Sequence, residues 1–295
     1  DLKALRPSEP SFAGMAAPCC PQGSHGFLSC DGYQARGRTL DVGGLECYMV
    51  GQGRRAIVVG HDAFGVDSGR TKQISDELAD ALGVIVAVPS FWASGSAGGF
   101  GRDEADVMAP TGSRPTLLRR VYASLRAVAR LPCFVRELRA INWEVVGPMV
   151  HDHLLPMLRE HGAERVGLMG FCWGGWLVLH ASGSSEFCCG ATLHPSQDKV
   201  CRLQGEDLRG LCEQVQCPQI ILTAGNDSPK LMEHGIAHEV FRGKPFGSEC
   251  TFQTFGEMKH GWVNRASLED PAVHRDYTAA MDLVTQFFRK HLCEA

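Results

Sequence analysis

The chain lacks a basic surplus: 29 Lys and Arg face 33 Asp and Glu over 295 residues, a formal net charge of -4. No cationic field is therefore on offer to nucleic acid, and no polybasic run invites a membrane surface. There is no apolar stretch long enough to span a bilayer, and no h-region of a secretory signal. No CxxC pair occurs, which argues against a structural zinc site. Aromatic content is modest at 8%, and hydrophobic (44%) and charged (21%) fractions are those of an ordinary globular protein able to bury a core without staples.

Cysteine, by contrast, is abundant. The thirteen thiols are odd in number and follow no repeated spacing, so they read as free cysteines of a reducing compartment. The cytoplasm is the expected location, with organelle targeting left open. Cys19, Cys20, His25 and Cys30 form a possible metal-binding group; the plainer reading is a tail with incidental thiols, and no metal or organic cofactor is expected.

Residues 1–35, rich in Pro, Gly, Ser and Cys, have neither helical nor strand period and read as a flexible arm; Met15 is a possible start. From residue 36 to 295 the pattern is that of one α/β domain. Leu45–Val50, Ala56–Gly60, Val84–Val88, Arg165–Gly170, Ala191–Leu193, Gln219–Ala224 and Thr251–Phe255 read as strands. Ser68–Leu82, Trp173–Ser182 and Asp270–His291 read as helices, the first stopped by Gly83. Pro148–His161 is helical in pattern, with a kink or break required at Pro156. Apolar strands alternating with helices predict a mostly parallel central sheet flanked on both faces. The stretch 94–142 interrupts this rhythm with a Gly-rich run and an amphipathic helical segment. It carries eight arginines and no lysine, and reads as a solvated helix face or as a lid or anion-attracting rim.

The chemistry concentrates at Gly170-Phe171-Cys172-Trp173-Gly174-Gly175, which follows a strand and opens a helix. That is the nucleophile-elbow pattern with Cys in place of Ser. Small flanking residues permit the tight turn, and the helix N-terminus favours a thiolate. An elbow predicts its partners in the order nucleophile, acid, His. Asp227 sits just past the strand Gln219–Ala224, and His260 just past Thr251–Phe255. Cys172, Asp227 and His260 are the predicted triad; Asp227 could instead be a turn residue. His194, which precedes the acid, reads as structural. The oxyanion donors are expected to be the Trp173 N–H and the Ala63 N–H, the latter in the loop after Ala56–Gly60.

At these residues the chain resembles the dienelactone hydrolase (carboxymethylenebutenolidase) family of the α/β-hydrolase superfamily. The matching pieces are HDAFGVDSGR at 61–70, VPSFW at 88–92, GFCWGG at 170–175, GND at 225–227 and KHGWVNR at 259–265. The resemblance implies an α/β-hydrolase fold and a Cys–His–Asp hydrolase of lactones or activated esters, working through an acyl-thioester. It implies that Asp62, where bacterial members carry Glu, holds the resting thiol proton; otherwise Asp62 caps its loop. Of the two arginines that bind the substrate carboxylate in those enzymes, one position falls near Ser94 and is not Arg here, while Arg265 is available for the other. Phe64, Trp92, Trp262 and Arg265 are thus the expected substrate contacts. The partner is a small-molecule lactone or ester; the chain is expected to be a monomer or homodimer, without nucleic acid or membrane. The alternatives are a redox-sensitive thiol protein and a non-catalytic binding module that uses the arginine-rich insert.

Overall fold

The computed structural model describes residues 19–26, 28, 32–91 and 135–294. The amphipathic segment expected within 94–142 lies largely outside them, as does Trp92. Among the described residues, the strands form one eight-stranded sheet in the order β1-β2-β4-β3-β5-β6-β7-β8. β1 (Arg38–Val42), β2 (Leu45–Val50), β3 (Arg55–Gly60), α1 (Thr71–Leu82) and β4 (Ile85–Pro89) make up the first half. β1 pairs antiparallel with β2, and β2 antiparallel with β4. From β4 through β3 and β5 (Arg165–Phe171) to β6 (Phe187–Leu193), β7 (Gln219–Ala224) and β8 (Thr251–Phe255), every pairing is parallel.

The inner strands are buried on both faces, which is why their sequences are continuous apolar runs rather than alternations. Every residue of β4 and β7 is buried. Alternate residues of β3 divide between two cores: Ala56 and Val58 point to one, Ile57 and Val59 to the other. The elbow and the N-terminal segment belong to the first core. The second is closed by α1 and by the long helix near the C-terminus.

Trp143–Pro148 (α2) has Asn142 as its N-cap, its side chain accepting from Val145 N–H. A π-helical stretch, Met149–Leu154, joins it to Leu155–Glu160 (α3), which carries Pro156 in its first turn. The expected break at Pro156 thus takes the form of a widened turn. The Leu155 N–H reaches back to Val150 O, so the missing proline N–H falls where a new helical segment begins. Next come α4 (Gly174–Ala181) after the elbow, α5 (Gln197–Gln204), α6 (Leu208–Gln214), α7 (Ile236–Arg242), α8 (Trp262–Arg265) and α9 (Pro271–Phe288). α1 ends where expected, at Gly83 with φ 63°. The antiparallel edge strand β1 was not anticipated: it is mostly exposed, and its sequence RTLDV carries no apolar run.

Candidate active site

The loops that follow β3, β5, β6, β7 and β8 all leave the same edge of the sheet, because these strands are parallel. Ligand sites in open α/β sheets form at that edge. Cys172 lies there, between β5 and α4, with φ 52°. A left-handed backbone at a non-glycine residue costs roughly 1–3 kcal/mol and is a mark of functional turns. Its neighbours accept no side chain. A Cβ on Gly174 would lie 2.1 Å from Gly60 O, and one on Gly170 would lie 2.3 Å from Gly174 O. The elbow is locked further by Cys172 N–H donating to Leu193 O (3.3 Å) and Gly174 N–H donating to His61 O (3.1 Å).

The last bond brings the loop after β3 against the start of α4. It places Ala63 and Trp173, the expected oxyanion donors, on adjoining segments. Among the described residues, the Ala63 N–H has no backbone acceptor. The Trp173 indole stacks on the His61 ring at 5.6 Å.

His260 and Asp227 meet as the chain order predicts. The His260 Nδ1 is 2.6 Å from Asp227 Oδ1, both side chains fully buried. Asp227 Oδ2 accepts from Ala224 N–H at 2.7 Å. Asn226 was not expected to take part, yet its Oδ1 accepts the His260 N–H at 2.7 Å and so fixes the backbone of the base. The other ring nitrogen, His260 Nε2, is buried with no hydrogen-bond partner among the described residues.

Electrostatics join the ring to the sulfur. Burial pushes the Cys172 thiol up, but hydrogen bonds from Cys19 and Cys20 and the adjacent His260 outweigh it and hold it well below its ordinary value. Burial lowers His260, and the charges of Cys172 and Asp227 overcome that and raise it well above the usual histidine range. Each group thus favours the charged form of the other.

Two further side chains at the end of β6 were missed or set aside. The Ser196 Oγ is 3.3 Å from Cys172 Sγ, and Ser196 N–H donates to Cys172 O at 3.0 Å. His194, at φ 40°, turns its ring edge-on to His260, with centroids 5.0 Å apart. Burial and the charges of His260 and Arg265 keep it neutral, well below the usual range. Its site contact was hidden because LHPS reads as an ordinary strand exit.

Asp62 lies within the loop after β3. Its carboxylate accepts from Phe64 N–H (2.8 Å), Ser68 Oγ (2.8 Å), Asn264 Nδ2 (2.8 Å) and Arg265 Nη1 (2.9 Å). These bonds brace the loop, the second of the two readings of Asp62, and pair its carboxylate with Arg265. Arg265 is buried, with its guanidinium 4.8 Å from the centre of the Phe64 ring and its Nε and Nη2 without hydrogen-bond partners among the described residues. Trp262 is fully buried in the second core, 4.7 Å from the Phe255 ring, whereas Cys172 belongs to the first.

The largest departure concerns residues 19–26 and 28, expected as part of a flexible arm. They lie along the site as a strap. Cys20 O accepts from Lys199 Nζ (2.6 Å), Gln22 O from Asn226 Nδ2 (3.0 Å) and Leu28 O from Gly69 N–H (2.9 Å), while His25 N–H donates to His260 O (2.8 Å). The strap carries Cys19 and Cys20 onto the nucleophile and leaves Cys172 without solvent exposure.

A mostly parallel sheet, with Cys172 in a left-handed strand-to-helix turn and a His–Asp pair on two later loops, has the architecture of an α/β-hydrolase. The chain belongs to the dienelactone hydrolase family, whose sequence profile matches residues 47–292, and it is accordingly an ester or lactone hydrolase by class. It is 25% identical over 278 residues to an uncharacterized AIM2 family protein of Schizosaccharomyces pombe, covering 92% of this chain and 99% of that one. It is 25% identical over 250 residues to a carboxymethylenebutenolidase homolog of Rattus norvegicus, covering 79% and 82%. Among solved structures, an acylaminoacyl peptidase of Pyrococcus horikoshii superposes with a TM-score of 0.57 at 14% identity, over 90% of this chain and 43% of that one; the likeness is one of fold. Among the described residues, no helix is long and apolar enough to cross a membrane.

Proposed function

We propose that the chain hydrolyses lactones or activated esters through an acyl-thioester on Cys172, with His260 as base and acid and Asp227 as its orienting carboxylate. The observation that carries this reading is the elbow sulfur at φ 52° beside an imidazole whose far nitrogen is bonded to a buried carboxylate at 2.6 Å. The Cys172 thiolate attacks the carbonyl carbon. The Ala63 and Trp173 N–H groups take up the charge that develops on the carbonyl oxygen. His260, protonated at Nε2, gives that proton to the departing alkoxide as the C–O bond breaks. In the second half, neutral His260 removes a proton from water, hydroxide adds to the thioester, and the carboxylic acid leaves as Cys172 returns to thiolate. No step calls on a metal or organic cofactor. A thiolate expels alkoxides and thiolates more readily than amines, which favours esters, lactones and thioesters over peptides.

Arg265 suits an anionic group on the substrate. Its Nε and Nη2 are buried donors with no acceptor among the described residues, and Asp62 holds the guanidinium in place. Phe64 lies against its face. Substrate entry requires the strap over Cys172 to lift.

The test is a panel of lactones and nitrophenyl esters, with and without a carboxylate, run on wild type, Cys172→Ala and Cys172→Ser. Wild-type turnover with a trapped acyl-enzyme on Cys172, lost in Cys172→Ala, is the expected result. Equal rates in wild type and Cys172→Ala would end the proposal.

A further inference from the structure

Cys19, Cys20 and Cys172 are three buried thiols whose sulfurs all lie within 4.8 Å of one another. The Cys19–Cys20 and Cys19–Cys172 separations are both 4.0 Å, and Cys20–Cys172 is 3.6 Å. We propose that these three sulfurs form a binding site for a thiophilic d10 metal ion, of which Zn2+ is the type, and that an ion bound there withdraws the nucleophile from reaction.

The triangle has the size a metal requires. Zn–S bonds of about 2.3 Å at tetrahedral angles set sulfurs about 3.8 Å apart. The three measured edges bracket that figure. A disulfide would instead draw one pair in to about 2.05 Å and leave the third sulfur without a part. Thiolates are soft ligands that select ions such as Zn2+ and Cu+ over Mg2+ and Ca2+. Three protein ligands leave one tetrahedral position for water.

The arrangement of the thiols does not depend on their own weak contacts. Backbone bonds on either side of the site pin the strap: Lys199 to Cys20 O, Asn226 to Gln22 O, and His25 N–H to His260 O. The docked strap therefore delivers Cys19 and Cys20 to a fixed place. Three thiolates around a dication carry one net negative charge. The buried Arg265 guanidinium, already paired with Asp62, counts Cys19, Cys20 and Cys172 among its further electrostatic partners, and its Nε and Nη2 have no hydrogen-bond partner among the described residues. In the binding step each Zn–S bond that forms replaces an S–H bond where the sulfur was protonated. The proton goes to solvent, and no electron is transferred. The lone pair that Cys172 would use on a carbonyl is then held by the ion.

The experiment uses the full chain, reduced and stripped of metal. Cd2+ is titrated in as a spectroscopic probe and Zn2+ is measured by competition with a chromophoric chelator. The expected result is one ion per chain with a cadmium–thiolate charge-transfer band. Cys20→Ser and Cys172→Ser should each weaken binding by about 100-fold or more, beyond what second-shell changes usually cost. The Cys188→Ser variant, at a second adjacent-cysteine pair, should bind like wild type. X-ray absorption on the wild-type zinc complex should show three sulfur neighbours, an independent readout should a variant misfold. Binding that is unchanged in Cys20→Ser, fewer than three sulfur neighbours, or no ion bound with a Cys20–Cys172 disulfide in its place would overturn the proposal. These readouts involve no substrate, so they stand apart from any failure of the hydrolase reading.

Discussion

The Asp62–Arg265 pair gives the most demanding test of how the site is held together. Both side chains are fully buried, the Nη1 to Oδ2 distance is 2.9 Å, and Asn264 donates to the same oxygen at 2.8 Å. Replacing Arg265 with Met keeps much of the apolar stem and removes the charge, leaving a buried carboxylate with its Phe64, Ser68 and Asn264 donors but without the guanidinium. At about 4 Å and an effective dielectric near 20, the lost attraction is roughly 4 kcal/mol. Breaking one side of a buried pair generally costs about 3–5 kcal/mol. At about 2 °C per kcal/mol for a chain of this size, Arg265→Met should melt roughly 6–10 °C below wild type. Asp62→Asn should cost a similar amount by stranding the guanidinium. The double variant Asp62→Asn/Arg265→Met should fall short of the sum of the singles by up to about 3 kcal/mol, the coupling of groups in contact. Urea unfolding followed by circular dichroism, beside a thermal melt, measures all four proteins. A loss under about 1 kcal/mol in Arg265→Met, or strict additivity across the cycle, would refute the picture of Asp62 as the arginine's brace.

Two more outcomes follow from the geometry. Asp227→Asn keeps an acceptor for Ala224 N–H but turns an amide NH2 toward His260 Nδ1, favouring the wrong tautomer. Ester hydrolysis should fall about 10³–10⁴-fold with little change in melting temperature, and a loss below tenfold would remove Asp227 from the triad. His25, half-buried in the strap, is lowered to about 4, first by burial and then by the charges of Arg265, Lys259, His260 and Arg70. Its free value is about 6.5, so between the two an undocked strap holds a proton that the docked one lacks. Docking is therefore at full strength above pH 6.5 and weakens as pH falls toward 4. Hydrogen exchange of residues 19–28, corrected for intrinsic rates, should lose protection from pH 7 to pH 5 in wild type and much less in His25→Gln; equal slopes would count against the assignment.

What the sequence disclosed was what local chemistry enforces. β2, β7 and β8 have the expected ends because apolar runs are cut off sharply by Gly or by polar turns. The elbow was legible because its glycines meet backbone at 2.1–2.3 Å, a demand that any sequence making this turn must display. The meeting of Asp227 and His260 was legible from chain order and from their places just past two strand ends. The core position of the Trp262 ring was not legible, because it depends on how the short helix α8 packs. The bracing of Asp62 was not legible in full either: its partners Asn264 and Arg265 lie about 200 residues away, and no pattern near residue 62 announces them. β1 and the strap share that difficulty, since neither has a hydrophobic period of its own.

The strap has a bearing on how the chain acquires its final form. Its anchors are Gly69, Lys199, Asn226 and His260, and its cysteines meet a partner 152 residues away. A ribosome must have made the chain as far as His260 before all of those anchors exist. Contacts of such long sequence separation close last and slowly, and the segments that form them detach most readily in the finished protein. In a chain whose strap has not yet docked, Cys172 and the His260–Asp227 pair lack the cover that Cys19 and Cys20 give them in the folded protein.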